Sequence, residues 1–411
     1  MKKPELLAPA GSLENLKTAV DYGADAVYIG GVSYGLRAKA KNFSPEEMAQ
    51  GIAFAHGKGA RVYVTLNIIA HSGDLDGIRA YLEELSIIKP DALIISDPGV
   101  FMLARRICPD IDIHISTQAN NTNYETFRFW HGMGAKRVVT ARELSLAEIL
   151  QIRENIPDEL EIETFVHGAM CISYSGRCLL SSYMTGRSAN LGECTHPCRW
   201  KYAVEEETRP GQYFPVFEDE DGTYIFSSKD LCMIDHIDDL VKAGIDSFKI
   251  EGRMKTALYA AGVTRAYRRA IDDFFESEKL YRENIPWYLD EISACEVRPF
   301  STGFFYGRPD GQAQYYQGTD FKREYVYLGT AGDEKDGGFC LKQKNKFSVG
   351  ETVQIMKPDG RNIDATVLGI TGPDGTPQES APHAGQDLTV LLSELPKKGD
   401  VLRRRVPAAG D

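Results

Sequence analysis

The sequence predicts an α/β chain: a (β/α)8 barrel followed by a small all-β barrel. Three observations carry this. Eight short β-rich runs occur within the first 250 residues, most of them separated by amphipathic helical stretches. Near Tyr325 the texture changes to short β-rich runs split by Gly, Asp and Pro turns. The length, 411 residues, suits two domains and a large core. The expected bounds are 1–300 for the barrel, with a cysteine-bearing insertion at about 168–235, then 301–324 for a connector and 325–411 for the β domain. A doubly wound open sheet shares the same local alternation, and the barrel is preferred over it.

The elements follow in order. Glu5–Ala8 is the first strand, closed by Pro9-Ala10-Gly11. Ser12 caps a helix that ends at Gly23, with Asn15 where a capping box would place Glu. Asp25–Gly30 is the second strand, followed by a Gly-rich loop, and Arg61–Ile68 is the third, with a helix over Ile78–Leu85. Ala92–Ser96, Ile111–Ser116, Arg137–Thr140 and Leu160–Phe165 are the fourth to seventh. The eighth, Asp246–Ile250, follows an 80-residue interruption and a helix near Asp239–Ala243. Helices over Thr256–Phe275 and Trp287–Cys295 complete the TIM-like barrel. In such a barrel, residues at strand C-termini face the active site. In the last domain Gly372–Gly385 reads as a loose turn, and Arg403–Arg405 as a solvated strand end.

Composition narrows the function. The net charge is −12, from 59 acidic and 47 basic residues, which argues against a general polyanion-coating protein but leaves room for a local basic groove. No apolar run approaches the about 18 residues of a membrane span. The N-terminal Lys2-Lys3 is followed by a short run that carries Glu5 and ends in a turn, unlike a secretory signal, so the expected location is cytoplasmic.

Eight cysteines in such a chain favour metal or catalysis over disulfides, and four fall within 28 residues as Cys171-x6-Cys178-x15-Cys194-x3-Cys198. Four thiolates complete either a tetrahedral zinc site or a cubane cluster. Only the Cys194/Cys198 pair has zinc-like spacing, and the wide gaps favour iron–sulfur over zinc. Gly168, Gly176 and Gly192 let the backbone come close to a ligand there. Cys232, near the start of a helix, is the reserve ligand and otherwise a small buried apolar residue; Cys108, Cys295 and Cys340 are isolated.

The stretch ETFVHGAMCISYSGRCLLSSYMTGR resembles the signature of the peptidase U32 family, the collagenase-like peptidases. The opening PELLAPAGSLENLKTAVDYGADAVYIGG is similar to the same family, as are HISTQANNTN, SSKDLC, DSFKIEGRMK and RPFSTGFFYG. By length and architecture the chain is most similar to the members that hydroxylate the tRNA wobble uridine at C5 without molecular oxygen, drawing on prephenate. That resemblance implies a 4Fe–4S cluster, prephenate as co-substrate, a tRNA anticodon loop as partner, and a second U32 protein as a possible one. It implies Cys171, Cys178 and Cys194 as cluster ligands, with the fourth either Cys198 or Cys232. The family's older name implies the alternative, a peptidase. Neither a nucleophile elbow nor an H-E-x-x-H motif is read in support of it, and although His196 stands between Cys194 and Cys198, a thiolate bound to iron is no free nucleophile. A further alternative is hydroxylation of another RNA or small molecule.

A dicarboxylate such as prephenate calls for arginine forks. Arg142, after the sixth strand, and Arg253, after the eighth, stand where a barrel mouth would use them; Arg37 is a weaker candidate. His114 lies in a hydrophilic strand exit with Ser116, Thr117 and Gln118, as Asn67 and His71 do on the third strand, and is a candidate acid or base. His167 directly precedes the cysteine segment and is a candidate partner for a cluster sulfur or the substrate. Each of these four residues equally suits a structural role. Glu163 and Lys249 are placed to pair inside the barrel. Arg199-Trp200-Lys201-Tyr202 and the β domain are the candidate RNA contacts, though the latter's charge is nearly balanced.

Overall fold

The structure, a computed structural model, describes residues 2–31, 42–170, 180–187, 195, 217–219, 222–224, 229–294, 298–307 and 324–406. Seven strands, β1 (Glu5–Pro9), β2 (Ala26–Gly30), β3 (Arg61–Leu66), β4 (Ala92–Ile95), β5 (Asp112–Ile115), β6 (Arg137–Val139) and β7 (Glu161–Gly168), pair in parallel and in chain order. After the short strands β8 (Phe217–Asp219), β9 (Gly222–Tyr224) and β10 (Asp230–Cys232), strand β11 (Ser247–Ile250) pairs in parallel with both β1 and β7. The sheet is therefore a closed eight-stranded barrel, and the open-sheet alternative falls.

Helices α1 (Leu13–Asp21), α2 (Pro45–Gly57), α3 (Leu75–Ile88), α4 (Pro98–Ile107), α5 (Tyr124–Gly132) and α6 (Leu146–Glu154) alternate with the strands. After α7 (Leu180–Thr185) and α8 (Ile237–Lys242), α9 (Ala257–Glu276) and α10 (Glu278–Ser293) pack against each other, and α9 also packs on α1. Local chemistry sets the helix starts. Ser44 and Ser145 make full capping boxes with Glu47 and Glu148, and Asp97, Asn123 and Thr256 cap through their side chains. Ser12 caps α1 by accepting from the Asn15 backbone N–H at 3.2 Å; the Asn15 amide is thereby left to donate to the Lys255 carbonyl at 2.9 Å. This ties α1 to the loop after β11.

The large apolar core lies between strands and helices. A second, small cluster of Leu7, Ala26, Tyr28, Tyr63, Ala92 and Ile94 fills the barrel interior. Beyond the barrel, β10 runs antiparallel to the end of β7 and parallel to β12 (Phe300–Ser301).

The last domain contains β13 (Tyr325–Lys335), β14 (Gly338–Lys342), β15 (Phe347–Ser348), β16 (Thr352–Met356), β17 (Asn362–Thr371), β18 (Pro377–Gln378), β19 (Ser380–Ala381), β20 (Asp387–Leu392) and β21 (Val401–Arg405). Its antiparallel sheet runs β16-β21-β13-β14-β20-β17-β18 and closes through β16–β17. The loose turn expected at Gly372–Gly385 holds β18 and β19, because Ala381 pairs with Phe347 and is buried.

Arg403 is not a solvated strand end. It is 3 % exposed, donates to Glu291 at 2.9 Å and lies 4.2 Å from the Tyr325 ring centre. Glu291 also accepts from Arg265 at 2.7 Å, so two cations of different elements share one buried carboxylate across the barrel–β-domain junction. Arg404 pairs with Glu351 as well. Tyr22 adds to the junction, donating to the Met356 carbonyl at 2.7 Å and accepting from the Val401 N–H at 2.9 Å.

Candidate active site

Strand pleating alternates side chains between the two faces, so every second residue of each barrel strand points inward. On β7 and β11 these include Glu163, Phe165, Ser247 and Lys249. Glu163 is fully buried and accepts from Lys249 at 2.7 Å, the pairing the sequence suggests. It also accepts from Arg137 at 2.9 Å and from Ser247 at 3.1 Å. Arg137 continues the chain to Glu5 at 2.6 Å and to Glu161 at 2.6 Å, and Tyr63 donates to Glu5 at 2.7 Å. Burial pushes the Glu163 carboxyl up, but Lys249 and Arg137 more than offset it and hold it below the ordinary value. The barrel floor is thus a closed, ionised network.

Above this floor lies the mouth. The Lys249 ammonium stands 4.6 Å from the Tyr28 ring centre and 5.4 Å from that of Phe165. Arg142 lies over the same Phe165 ring at 5.1 Å and donates to the Ala169 carbonyl at 3.0 Å. Arg253 reaches from the loop after β11 across β1 and β2 to β3, where it donates to Thr65 Oγ1 at 2.9 Å. A Cβ at position 30 would overlap the Arg253 guanidinium, so any larger residue there would displace that side chain from Thr65. Glu251 accepts from Tyr28 Oη at 3.0 Å, so a carboxylate joins the cations at the mouth. Cations, aromatic ring faces and one carboxylate thus lie along the C-terminal ends of these strands.

The other sequence candidates fall out differently. His114 is buried, edge-on to Tyr63 with ring centres 4.7 Å apart, and its Nδ1 has no hydrogen-bond partner among the described residues. Burial first, then the Arg137, Lys249 and Arg61 charges, hold its pKa well below the usual value. Such a lowered pKa favours the neutral imidazole near neutral pH. Its titration should appear in stability. Below pH 6.5 the unfolded chain takes up a proton that folded His114 refuses, so stability falls as pH drops from 6.5. The expected decline is up to about 1.4 kcal/mol per pH unit for one such group. His114→Gln should flatten that slope between pH 6.5 and 5 in urea titrations; an unchanged slope would show that His114 is not the group.

His167 does not face the mouth. A register shift between Lys249 and Ile250 accompanies its position, and its ring packs among Tyr259, Tyr267 and Phe300. Burial drives its pKa down to about 3. Asn67 donates to Gln118 at 2.8 Å, joining two strand exits, while His71 is exposed. Arg37 and the run 199–202 lie outside the described residues.

So do Cys171, Cys178, Cys194 and Cys198. The chain passes from β7 through Ala169 and Met170 to Cys171, so the segment leaves from the C-terminal, active face of the barrel. Cys232 returns opposite His167 on β10. Its sulfur is fully buried with Tyr267 Oη at 3.9 Å, and burial pushes the thiol up to about 12. The Ile234 backbone also hydrogen-bonds this sulfur, and a buried thiol raised in this way is held protonated as a packed core residue unless a metal displaces its proton. Among the described residues no group of three or more His, Cys, Asp or Glu could hold a metal ion.

Sequence reasoning passed over several groups. Arg137, Glu5 and Tyr63 complete the floor, and Phe165 with Tyr28 lines the mouth; their alternation along β-rich runs was the available signal. It also passed over Gly31-Val32-Ser33-Tyr34-Gly35, a G-x-S-x-G spacing. Residues 32–41, which include this serine, lie outside the described set.

Comparison with known proteins agrees with this architecture. The profile of "Peptidase family U32" matches residues 11–315, and that of "Peptidase family U32 C-terminal domain" matches 323–403. The chain is similar to "tRNA hydroxylation protein P1" of Bacillus subtilis (strain 168), 41% identical over 97% of this chain and 93% of that one. It is similar to "tRNA hydroxylation protein P" of Escherichia coli (strain K12), 40% identical over 95% and 94%. A third relative, "tRNA hydroxylation protein P2" of Bacillus subtilis (strain 168), is 38% identical over 74% of this chain and 98% of its own length. With both of its parts matched in order, and with relatives of this likeness over nearly its whole length, this chain belongs to peptidase family U32.

Proposed function

We propose that this protein is an iron–sulfur RNA-modifying enzyme that hydroxylates the tRNA wobble uridine at C5 without molecular oxygen, using prephenate. The observation that carries the reading is the 41% identity over 97% of the chain to a protein named for tRNA hydroxylation. The mouth supports it: Arg142 and Arg253 would take the two carboxylates of prephenate, and Phe165 with Tyr28 would lie against its ring. The neutral His114 would serve as a hydrogen-bonding group below the mouth, and His167 would support the cysteine segment from behind. Cys171, Cys178 and Cys194, with Cys198 or Cys232, would hold a 4Fe–4S cluster. Such a cluster supplies redox or Lewis-acid chemistry beside the mouth. The anticodon loop of tRNA would approach the same face, since a base must leave its stack to enter a barrel.

No helix among the described residues is long and apolar enough to cross a membrane. We place the reaction in the cytoplasm, where tRNA is. A second U32 chain is a candidate partner, as Bacillus subtilis has both a P1 and a P2 relative.

The test is nucleoside mass spectrometry of bulk tRNA from a host that lacks its own uridine hydroxylases. With this gene, 5-hydroxyuridine or its derivatives should appear; with an empty vector they should not. Their absence in both would overturn the tRNA reading and return weight to other RNAs and to a peptidase.

A further inference from the structure

We propose that Tyr267 is a positioning residue for the cysteine segment, fastening the strand that leads into it to the strand that follows it. The inference rests on the cluster reading above. The segment leaves the barrel past Met170 and returns at Lys229. Its arms are zipped together as antiparallel strands, with Gly168 opposite Leu231 and His167 opposite Cys232.

One hydroxyl fastens both arms. Tyr267 Oη donates to the Val166 carbonyl on β7 at 2.8 Å, and accepts from the Met233 N–H, one residue past β10, at 3.1 Å. The same oxygen lies 3.5 Å from His167 Nδ1 and 3.9 Å from Cys232 Sγ. The Tyr267 ring also meets that of His167 at 5.5 Å between centres. Tyr267 is fully buried on α9, a 20-residue helix braced by α10, α1 and β1. Its hydroxyl therefore carries the rigidity of the barrel wall to the base of the segment. Outer-shell groups that fix a ligand's place typically matter 10–100-fold for metal retention.

Tyr22 provides the control. It makes the same two-bond pattern, to the Met356 carbonyl and the Val401 N–H, and is equally buried, but it stands at the β-domain junction. Tyr267→Phe and Tyr22→Phe each remove one oxygen atom from a comparable site.

The full chain and both variants would be loaded with iron and sulfide without air. Cluster release to a chelator would be followed by visible absorbance, the reduced cluster by electron paramagnetic resonance, and melting separately. Tyr267→Phe should release iron about tenfold faster than the parent and change the resonance. Tyr22→Phe should lower the melting point yet release iron at the parental rate. Equal release from Tyr267→Phe and Tyr22→Phe, with unchanged resonance, would overturn the positioning role. A parent chain that takes up no iron would instead overturn the cluster reading, and this inference with it.

Discussion

Cys171→Ala is expected to emerge without its full iron content and to leave tRNA unhydroxylated. Cys171 follows Met170, the last described residue after β7. Removing its thiolate takes a covalent ligand from the cluster that Cys171, Cys178 and Cys194 would share. The loss of product should therefore exceed the roughly 10–100-fold that removal of an outer-shell partner brings. Iron analysis and nucleoside mass spectrometry read the two effects separately. Cys108→Ala is the control: its sulfur is buried in the barrel wall and contacts the Leu82 carbonyl at 3.2 Å, so cluster and product should both survive. Cys198→Ala and Cys232→Ala, run beside them, should differ, and the one that loses iron names the fourth ligand. Full iron content and product in Cys171→Ala would remove that residue from the ligand set.

Arg137→Met should cost about 3–5 kcal/mol of stability, because it leaves buried carboxylates without their shared cation. Arg137 is 1 % exposed and holds Glu5, Glu161 and Glu163 together. Arg61, which also pairs with Glu5, has a half-exposed side chain, and Arg61→Met should cost no more than about 1 kcal/mol. Urea midpoints at neutral pH measure the difference. The pH dependence has a definite sign. Burial raises the Glu163 carboxyl, yet Lys249 and Arg137 bring its net pKa below 4.5, and Glu161 is likewise lowered. Their contribution is complete above pH 4.5 and is lost as pH falls through the depressed folded values. The gap between the parent and Arg137→Met should therefore narrow in acid. A gap that stays constant down to pH 3 would mean that the network is not ionised in the fold.

The same network shows where sequence reading reaches its limit. Glu163 and Lys249 could be paired from their alternation on two neighbouring strands. Arg137 could not, because its partners come from β1 and β7, 132 and 26 residues away. His114 sits in a hydrophilic stretch and reads as a candidate acid or base, but burial first, and then the Arg137, Lys249, Arg61 and Lys136 charges, lower its pKa. His167 stands beside the cysteine signature in the chain. Even so, it turns toward Tyr259 and Tyr267 of α9 rather than toward the mouth. Arg403 lies in a triple-arginine strand end that suggests solvent, yet Glu291 of α10 buries it.

By itself the sequence determined the strand–helix alternation, the change to an all-β domain and the cysteine spacing. These are local properties, set by side-chain periodicity, capping residues and turn chemistry between near neighbours. Only the tertiary structure decided that the sheet closes, that Arg253 reaches across β1 and β2 to Thr65 on β3, and that Tyr267 bonds both β7 and the residue after β10. Those facts depend on strand register and on which distant side chains share a buried, low-dielectric space, where a neighbour's charge or hydroxyl decides the outcome.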